Sequence, residues 1–403
     1  MLLEFWENFR HNLFKPLLLF FYLGFLIPIL KVQFEFPYVI YQGLTLYLLL
    51  AIGWHGGEEL ATIDPSSIAS VAGFMVLGFA TNCVIGLLAY GLLTRMTSLR
   101  RVDRATVAGF YGSDSAGTFA TCVGVLATVG MAFDAYMPVM LAIMEIPGCV
   151  VALYLVARLR QRGMDPVGTM PDEPGYNPRA RLEPVAAAQL GHGHQAETPR
   201  ERELEEELEF SLEQREHPEP TGPTPRLLSA TLAREVLLNP GLYLLFGGLA
   251  IGFIGGLQGA KVVHDDDNVF VAAFQGILCL FLLEMGMTAS RKLKDLRSAG
   301  RGFIAFGLVA PNLFAALGII VAHSYAHLTH TQFQLGSYVL FAVLCGAASY
   351  IAVPAVQRLA IPEASPTLPL AASLGLTFSY NVTIGIPVYL EVARAVTTWF
   401  PVG

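Results

Sequence analysis

Two short runs in an apolar chain carry residue types able to do chemistry. One is Gly112-Ser113-Asp114-Ser115-Ala116-Gly117-Thr118; the other is Gly346-Ala347-Ala348-Ser349-Tyr350, with Pro354 shortly after. Small polar residues compete for a helix's backbone hydrogen bonds, and proline withholds a donor, so each run predicts a broken helix. A helix restarting near Ser115 presents the free N–H groups of Ala116, Gly117 and Thr118, a positive end suited to an anion. A restart after Ser349 would do the same from the second run. The hydroxyls of Ser113, Ser115, Thr118 and Ser349 add hydrogen bonds. Neither run holds Lys or Arg, which fits a small anion that is weakly held and released. Beside such an anion Asp114 needs a counter-charge, most simply a sodium ion or a proton. Ser113, Asp114, Ser115, Thr118 and Ser349 offer the oxygens that a hard cation takes. The alternative is close helix packing through small residues, which leaves Asp114 unexplained.

The elements that must position these runs follow from composition. Of 403 residues, 54% are hydrophobic and 14% charged, against about 25% charged in a soluble domain. Mean hydropathy is +0.54. The fold class is an all-α polytopic membrane protein. A window of about 20 residues predicts ten transmembrane helices, near 16–31, 37–54, 67–94, 105–129, 135–158, 239–258, 268–289, 302–322, 334–357 and 367–395. The two runs fall in helices 4 and 9. Irregular backbone at membrane depth persists only where protein buries it or it lines a cavity, and paired interruptions point to a midplane binding site. Such a chain is not a soluble enzyme or a disulfide scaffold. With pI about 5.7 and no basic stripe, it does not bind nucleic acid. No nucleotide signature is present. Neither a catalytic residue, a cofactor, nor a metal beyond sodium is expected.

Residues 160–235 hold −6 of the net charge of −7. They divide the chain into an N-terminal five-helix repeat (1–158), a polar insert (159–238) and a C-terminal five-helix repeat (239–403). The first part of the insert, rich in Pro, Gly and Ala, reads as disordered. Residues 201–216 read as a short helix with a thin face of Leu204, Leu208 and Leu212, either a solvated linker or a docking element. Basic residues gather after alternate spans: Arg95, Arg100, Arg101 and Arg104; Arg158, Arg160 and Arg162; Arg291, Lys292, Lys294, Arg297 and Arg301; Arg358. That places those loops and the insert in the cytoplasm, with both termini outside. The opposite loops hold Glu58, Glu59, Asp64, Asp134 and Asp265 to Asp267. Five helices per half make the halves inverted. Tyr41-Gln42-Gly43 aligns with Phe274-Gln275-Gly276, and Gly53 with Gly286, at a constant offset of 233; an offset of 234 brings Gly112 to Ser115 onto Gly346 to Ser349.

Further residues stand out. Glu145, in Met144-Glu145-Ile146-Pro147-Gly148, is a second buried carboxylate and a candidate for coupling. Its counterpart stretch is Asn381 to Pro387, and Pro147 and Pro387 predict kinks. Glu284 is either a transport carboxylate or a partner for Arg291 or Lys292. His323, His327 and His330 share one helical face, and His192 and His194 lie in the insert. No carboxylate or cysteine completes a metal set with them. Gly248, Gly252 and Gly256 predict close helix contact within or between subunits. Cys83, Cys122, Cys149, Cys279 and Cys345 read as small core residues.

With these residues in place, the chain resembles the SbtA-type sodium-dependent bicarbonate transporter family. The likeness is carried by Val102-Asp103 running into Gly112 to Thr118, by Ala135 to Pro147, by Met285-Gly286-Met287 before a basic loop, and by Ala360 to Pro366. It covers nearly all of the chain outside the insert. It implies ten spans in two inverted repeats, core and gate subdomains, a homotrimer in the bacterial inner membrane, and sodium-coupled bicarbonate uptake by a secondary active permease rather than an enzyme. It also implies a cytosolic PII-like regulatory partner. By this likeness the anion site comprises Gly112, Ser115, Ala116, Gly117 and Thr118 with Ser349, Tyr350 and Ile351 of the facing break. The cyanobacterial pattern has an aspartate where this chain has Tyr350, and an apolar residue where it has Asp114, as though the acid had moved across the cavity. Two other readings use the same residues: a symporter of another small anion or carboxylate with sodium or proton coupling, and a non-transporting membrane sensor.

Overall fold

The computed structural model describes residues 14–62, 68–179, 240–259, 264, 266–293, 300–350, 353–354, 357, 360–365 and 367–402. Among them every regular element is helical. The elements are α1 (Pro16–Ile29), α2 (Tyr38–Leu60), α3 (Ile68–Met96), α4 (Arg101–Tyr111), α5 (Ala116–Thr128), α6 (Met137–Met144), α7 (Pro147–Gln161), α8 (Pro240–Gln258), α9 (Phe274–Lys292), α10 (Arg301–Thr329), α11 (Leu335–Gly346), α12 (Thr367–Leu370) and α13 (Ile386–Trp399). A π-helical turn, Asn268–Ala272, leads into α9, and two more, Ala371–Phe378 and Asn381–Gly385, join α12 to α13. Five stretches are long and apolar enough to cross a membrane: Val39–Leu60, Ala69–Met96, Met137–Gln161, Asn268–Lys292 and Arg301–Thr329. Pro16–Ile29, Tyr243–Gln258 and Leu335–Gly346 are shorter apolar helices.

Glycine decides how the first helices pair. α8 lies along α2, and α9 lies along α1. A Cβ on Gly252 would fall on the Trp54 carbonyl, and one on Gly57 on the Leu249 carbonyl. The α1–α9 pair repeats this, with Gly24 against Leu283 and Gly286 against Phe21. In lipid, where apolar surface gains little by leaving the solvent, such backbone approach is a main source of helix attraction. The Gly248-to-Gly256 spacing therefore serves a contact within the chain. The remaining helices form a second group, in which α4 packs on α3 and α7, and α11 on α10, α13 and α5.

Several boundaries differ from those read in the sequence. α2 continues past residue 54 to Leu60, so Glu58 and Glu59 occupy its last turns and not a loop. Trp54 Nε1 donates to Asp267 Oδ1 at 3.0 Å, joining this end of α2 to the entry of α9. α10 continues to Thr329 and carries both His323 and His327, with their Nε2 atoms 3.1 Å apart. His330 leaves that face: it takes a left-handed conformation (φ 52°) and ends the helix. Cys122, Cys149 and Cys345 are buried, while Cys83 and Cys279 are partly exposed.

The start of the insert is not disordered. Residues 162–179 fold back on the helices, because local carboxylates satisfy their backbone. Asp165 accepts from the N–H groups of Val167, Thr169 and Asn177 at 3.1, 2.7 and 2.8 Å. Glu173 accepts from those of Arg101 and Met170. Arg100 binds Asp103 and the Val167 carbonyl, and Arg160 holds Glu363 through two 2.9 Å bonds. The rest of the insert lies outside the described residues, including residues 201–216, His192 and His194. So do Asp64, Asp265, Lys294, Arg297, Ile351 and Arg358.

Candidate functional site

The first run interrupts its helix. α4 ends at Tyr111 with Gly112 as its C-cap, and α5 begins at Ala116 with extended Ser115 as its N-cap. Gly112 is required by packing: a Cβ there would meet Gly86 Cα at 3.0 Å and Gly148 Cα at 3.1 Å. α3, α4 and α7 thus converge on three glycines, and the irregular segment is buried in protein, as membrane depth demands.

The backbone groups freed by the breaks find partners on other elements. Ser349 N–H donates to the Phe110 carbonyl at 2.9 Å, so the second run crosses directly over the end of α4. Asn381 Nδ2 donates to the Gly346 carbonyl at 2.9 Å, and the Tyr389 hydroxyl donates to Asn381 Oδ1 at 2.8 Å. Ser113 Oγ donates to the Glu145 carbonyl at 2.6 Å, and Asn82 Nδ2 to that of Met144 at 2.9 Å. These two carbonyls are exposed by the break between α6 and α7, where Pro147 starts the second segment without an N–H.

At the α5 terminus Ser115 Oγ accepts from Thr118 N–H at 3.3 Å and from Thr118 Oγ1 at 2.9 Å. This corrects one expectation: the Thr118 N–H is capped, and the Ala116 and Gly117 N–H groups are the open donors of this terminus among the described residues. Because Ser115 Oγ accepts twice, its own proton is directed elsewhere and can be donated to an anion. Tyr350 Oη neighbours Ser115 without a hydrogen bond of normal geometry, and a Cβ on Gly117 would fall on it. Phe281 of α9 reaches the same point, its Cζ 3.0 Å from that Cβ position, and stacks on Tyr41 of α2 with centroids 6.0 Å apart. Anion donors of one helix group therefore meet an aromatic wall from the other.

Asp114 is fully buried, and among the described residues neither carboxylate oxygen has a hydrogen-bond partner. Glu145, also buried, lies within electrostatic reach, as does Cys345 at the end of α11. Ser349 Oγ and Asn82 Oδ1 are likewise buried without partners. Unpaired oxygens of this kind are expensive unless a proton or a cation completes them. A carboxylate, a hydroxyl and a carboxamide oxygen are each a donor of the kind a hard cation accepts. The expected cation residues divide by role. Ser113 is tied to α6, Ser115 and Thr118 are tied to each other at the anion side, and Asp114 and Ser349 keep unused oxygens. Glu284 is buried in α9 and accepts from Thr288 Oγ1 at 2.9 Å.

Sequence reasoning missed Asn82, Tyr41, Phe281 and Asn381 as site-forming residues. An asparagine in the apolar run of α3 was a usable signal, and Tyr41 stood in the repeat alignment. Nothing in the sequence marked Phe281. No curated protein matches the chain. A family model does match, over residues 16–394, and the chain belongs to the Na+-dependent bicarbonate transporter superfamily.

Proposed function

We propose that this protein is a secondary active transporter that takes up bicarbonate with sodium, with Asp114 as the cation's anionic ligand. The observation that carries the reading is the meeting of the two breaks. An α5 terminus with open N–H groups and the Ser115 and Tyr350 hydroxyls suits a small oxyanion. A buried carboxylate with two unused oxygens beside it suits sodium. The anion ligands are then Gly112, Ser115, Ala116, Gly117, Ser349, Tyr350 and Ile351, Thr118 having given both its N–H and its hydroxyl proton to Ser115. Ser113, Asp114, Ser115, Thr118 and Ser349 serve the cation, and Glu145 is the second coupling carboxylate. Occupation by sodium cancels the charge that would otherwise repel the anion, which gives coupling a physical basis.

The reading includes ten spans in two inverted repeats, 1–158 and 239–403, around an insert at 159–238. Its support is the reciprocal pairing of α1 with α9 and α2 with α8, in which Gly53 and Gly286, aligned in sequence, each bury against the other half. A cytoplasmic insert, external termini, a homotrimer in the bacterial inner membrane and a PII-like partner complete the proposal. The test is uptake of labelled bicarbonate into proteoliposomes under an inward sodium gradient, with a matched potassium gradient as reference. Uptake that needs sodium supports the reading. Folded protein that transports equally in potassium, or moves only a small carboxylate in competition assays, overturns it.

A further inference from the structure

We propose that the end of the molecule where α3, α4 and α7 meet binds the phosphate of an anionic phospholipid, with Arg104 at the centre of the site. Arg104 lies near the start of α4 and is half-buried. Its Nε is buried with no hydrogen-bond partner, and among the described residues its guanidinium forms no ion pair. A buried N–H without a partner is costly, and this one is surrounded by more positive charge. Arg104, Arg101 and Arg162, together with one acid, Glu173, all lie within electrostatic reach of the Tyr90 hydroxyl on α3. Arg95 is exposed in the last turn of α3. Arg158, exposed on α7, stands 5.9 Å over the Tyr154 ring.

The nearby acids are already engaged. Asp172 pairs with Arg101, and Glu173 accepts from two backbone N–H groups. The neighbouring arginines show that unpaired charge is not the rule here: Arg100 is bound to Asp103 and Arg160 to Glu363. Among the described residues Arg104 is the arginine of this cluster that combines no ion pair with a buried, unpartnered Nε, and a phosphate, which a guanidinium grips through two parallel bonds, would complete it. The adjoining surface selects a lipid over a soluble phosphate. Val84, Leu87 and Leu88 of α3 and Val150 and Tyr154 of α7 are exposed, giving acyl chains an apolar surface below the basic cluster. Basic pockets between helix ends at a membrane surface hold anionic headgroups in this way.

The test is native mass spectrometry of the full chain after exchange into mixed micelles of phosphatidylglycerol and phosphatidylcholine. Wild type should retain phosphatidylglycerol in preference to phosphatidylcholine. Arg104→Gln should lower that preference about fivefold, the loss expected for one arginine at a membrane surface. Arg104→Lys should fall between, keeping the charge and losing the paired geometry. Arg162→Gln, at an exposed position, should lower it less, and decides the matter if Arg104→Gln does not fold. Unchanged preference in both glutamine variants overturns the proposal. So does displacement of phosphatidylglycerol by an equal concentration of inorganic phosphate, which would make the ligand a soluble anion.

Discussion

Replacing Asp114 by asparagine changes charge and almost nothing else. Both carboxylate oxygens are buried without a partner, and a buried unsatisfied group costs a fold about 1–3 kcal/mol. The amide has no charge to desolvate. In sodium-free buffer Asp114→Asn should therefore be more stable than wild type, by less than that full penalty because the neutral amide is itself left unpaired. The same change removes the cation's anionic ligand. Two unit charges about 4 Å apart at an effective dielectric of about 20 interact by about 4 kcal/mol, roughly a thousandfold in affinity. The assay is thermal unfolding in detergent, followed by tryptophan fluorescence and titrated with sodium chloride against potassium chloride. With sodium at about 100 times its Kd, wild type should gain about 2.7 kcal/mol. Asp114→Asn should start from the higher baseline and gain nothing. Two results refute the reasoning: a variant less stable than wild type without sodium, or a sodium-dependent gain equal to the wild type's. The first would mean that Asp114 serves the fold, the second that sodium is held elsewhere.

Tyr350→Phe should leave the sodium-dependent gain in stability intact and weaken bicarbonate uptake about tenfold in KM, the effect of one hydrogen bond of about 1.5 kcal/mol to a charged group; an unchanged KM would remove Tyr350 from the anion site. Gly252→Ala puts a methyl on the Trp54 carbonyl and should destabilise by about 1–3 kcal/mol through overpacking, read as a lowered Tm. Arg160→Ala strands Glu363, whose side chain is 10% exposed, and should cost about 2 kcal/mol, since this pair is only partly buried; Glu363→Gln in the same chain should restore most of it. Asn381→Ala leaves the Gly346 carbonyl and the Tyr389 hydroxyl unpaired and should cost about 2–3 kcal/mol, measured by the same unfolding assay.

What the sequence disclosed follows how local each signal was. The break at Gly112 to Ser115 was legible because four consecutive small or polar residues cannot hold a helix interior, and Ser115 is a good N-cap residue wherever it stands. The capping of Thr118 was harder to foresee, since Ser115 could have turned its oxygen toward a ligand instead. The glycine spacing in α8 announced a close contact, but the partner, α2, is far away in the chain. Residues 162–179 misled because Pro and Gly content reads as disorder; what orders them is a pair of carboxylates, Asp165 and Glu173, that accept from their own loop and from α4. Phe281 carried no mark at all. It is one apolar residue among many in α9, and only the stacking of Tyr41 and the bare Gly117 opposite give it a role.

The Ser349 N–H to Phe110 carbonyl bond shows why neither break can act alone. It closes the end of α4 with a donor from the other half of the chain, so displacement of the second run uncovers the Phe110 carbonyl. Ser349 also keeps its hydroxyl oxygen free at the same place. On the proposed function, a cation that draws on Asp114 and Ser349 would hold the two runs together. The aromatic wall opposite Gly117 is attached differently. It is Phe281 on Tyr41 and belongs to α9 and α2, which among the described residues share no backbone hydrogen bond with the α4–α5 and α11 helices. On the proposed function, a relative movement of the two helix groups would therefore part Phe281 from Gly117 while Ser349 stays bonded to Phe110.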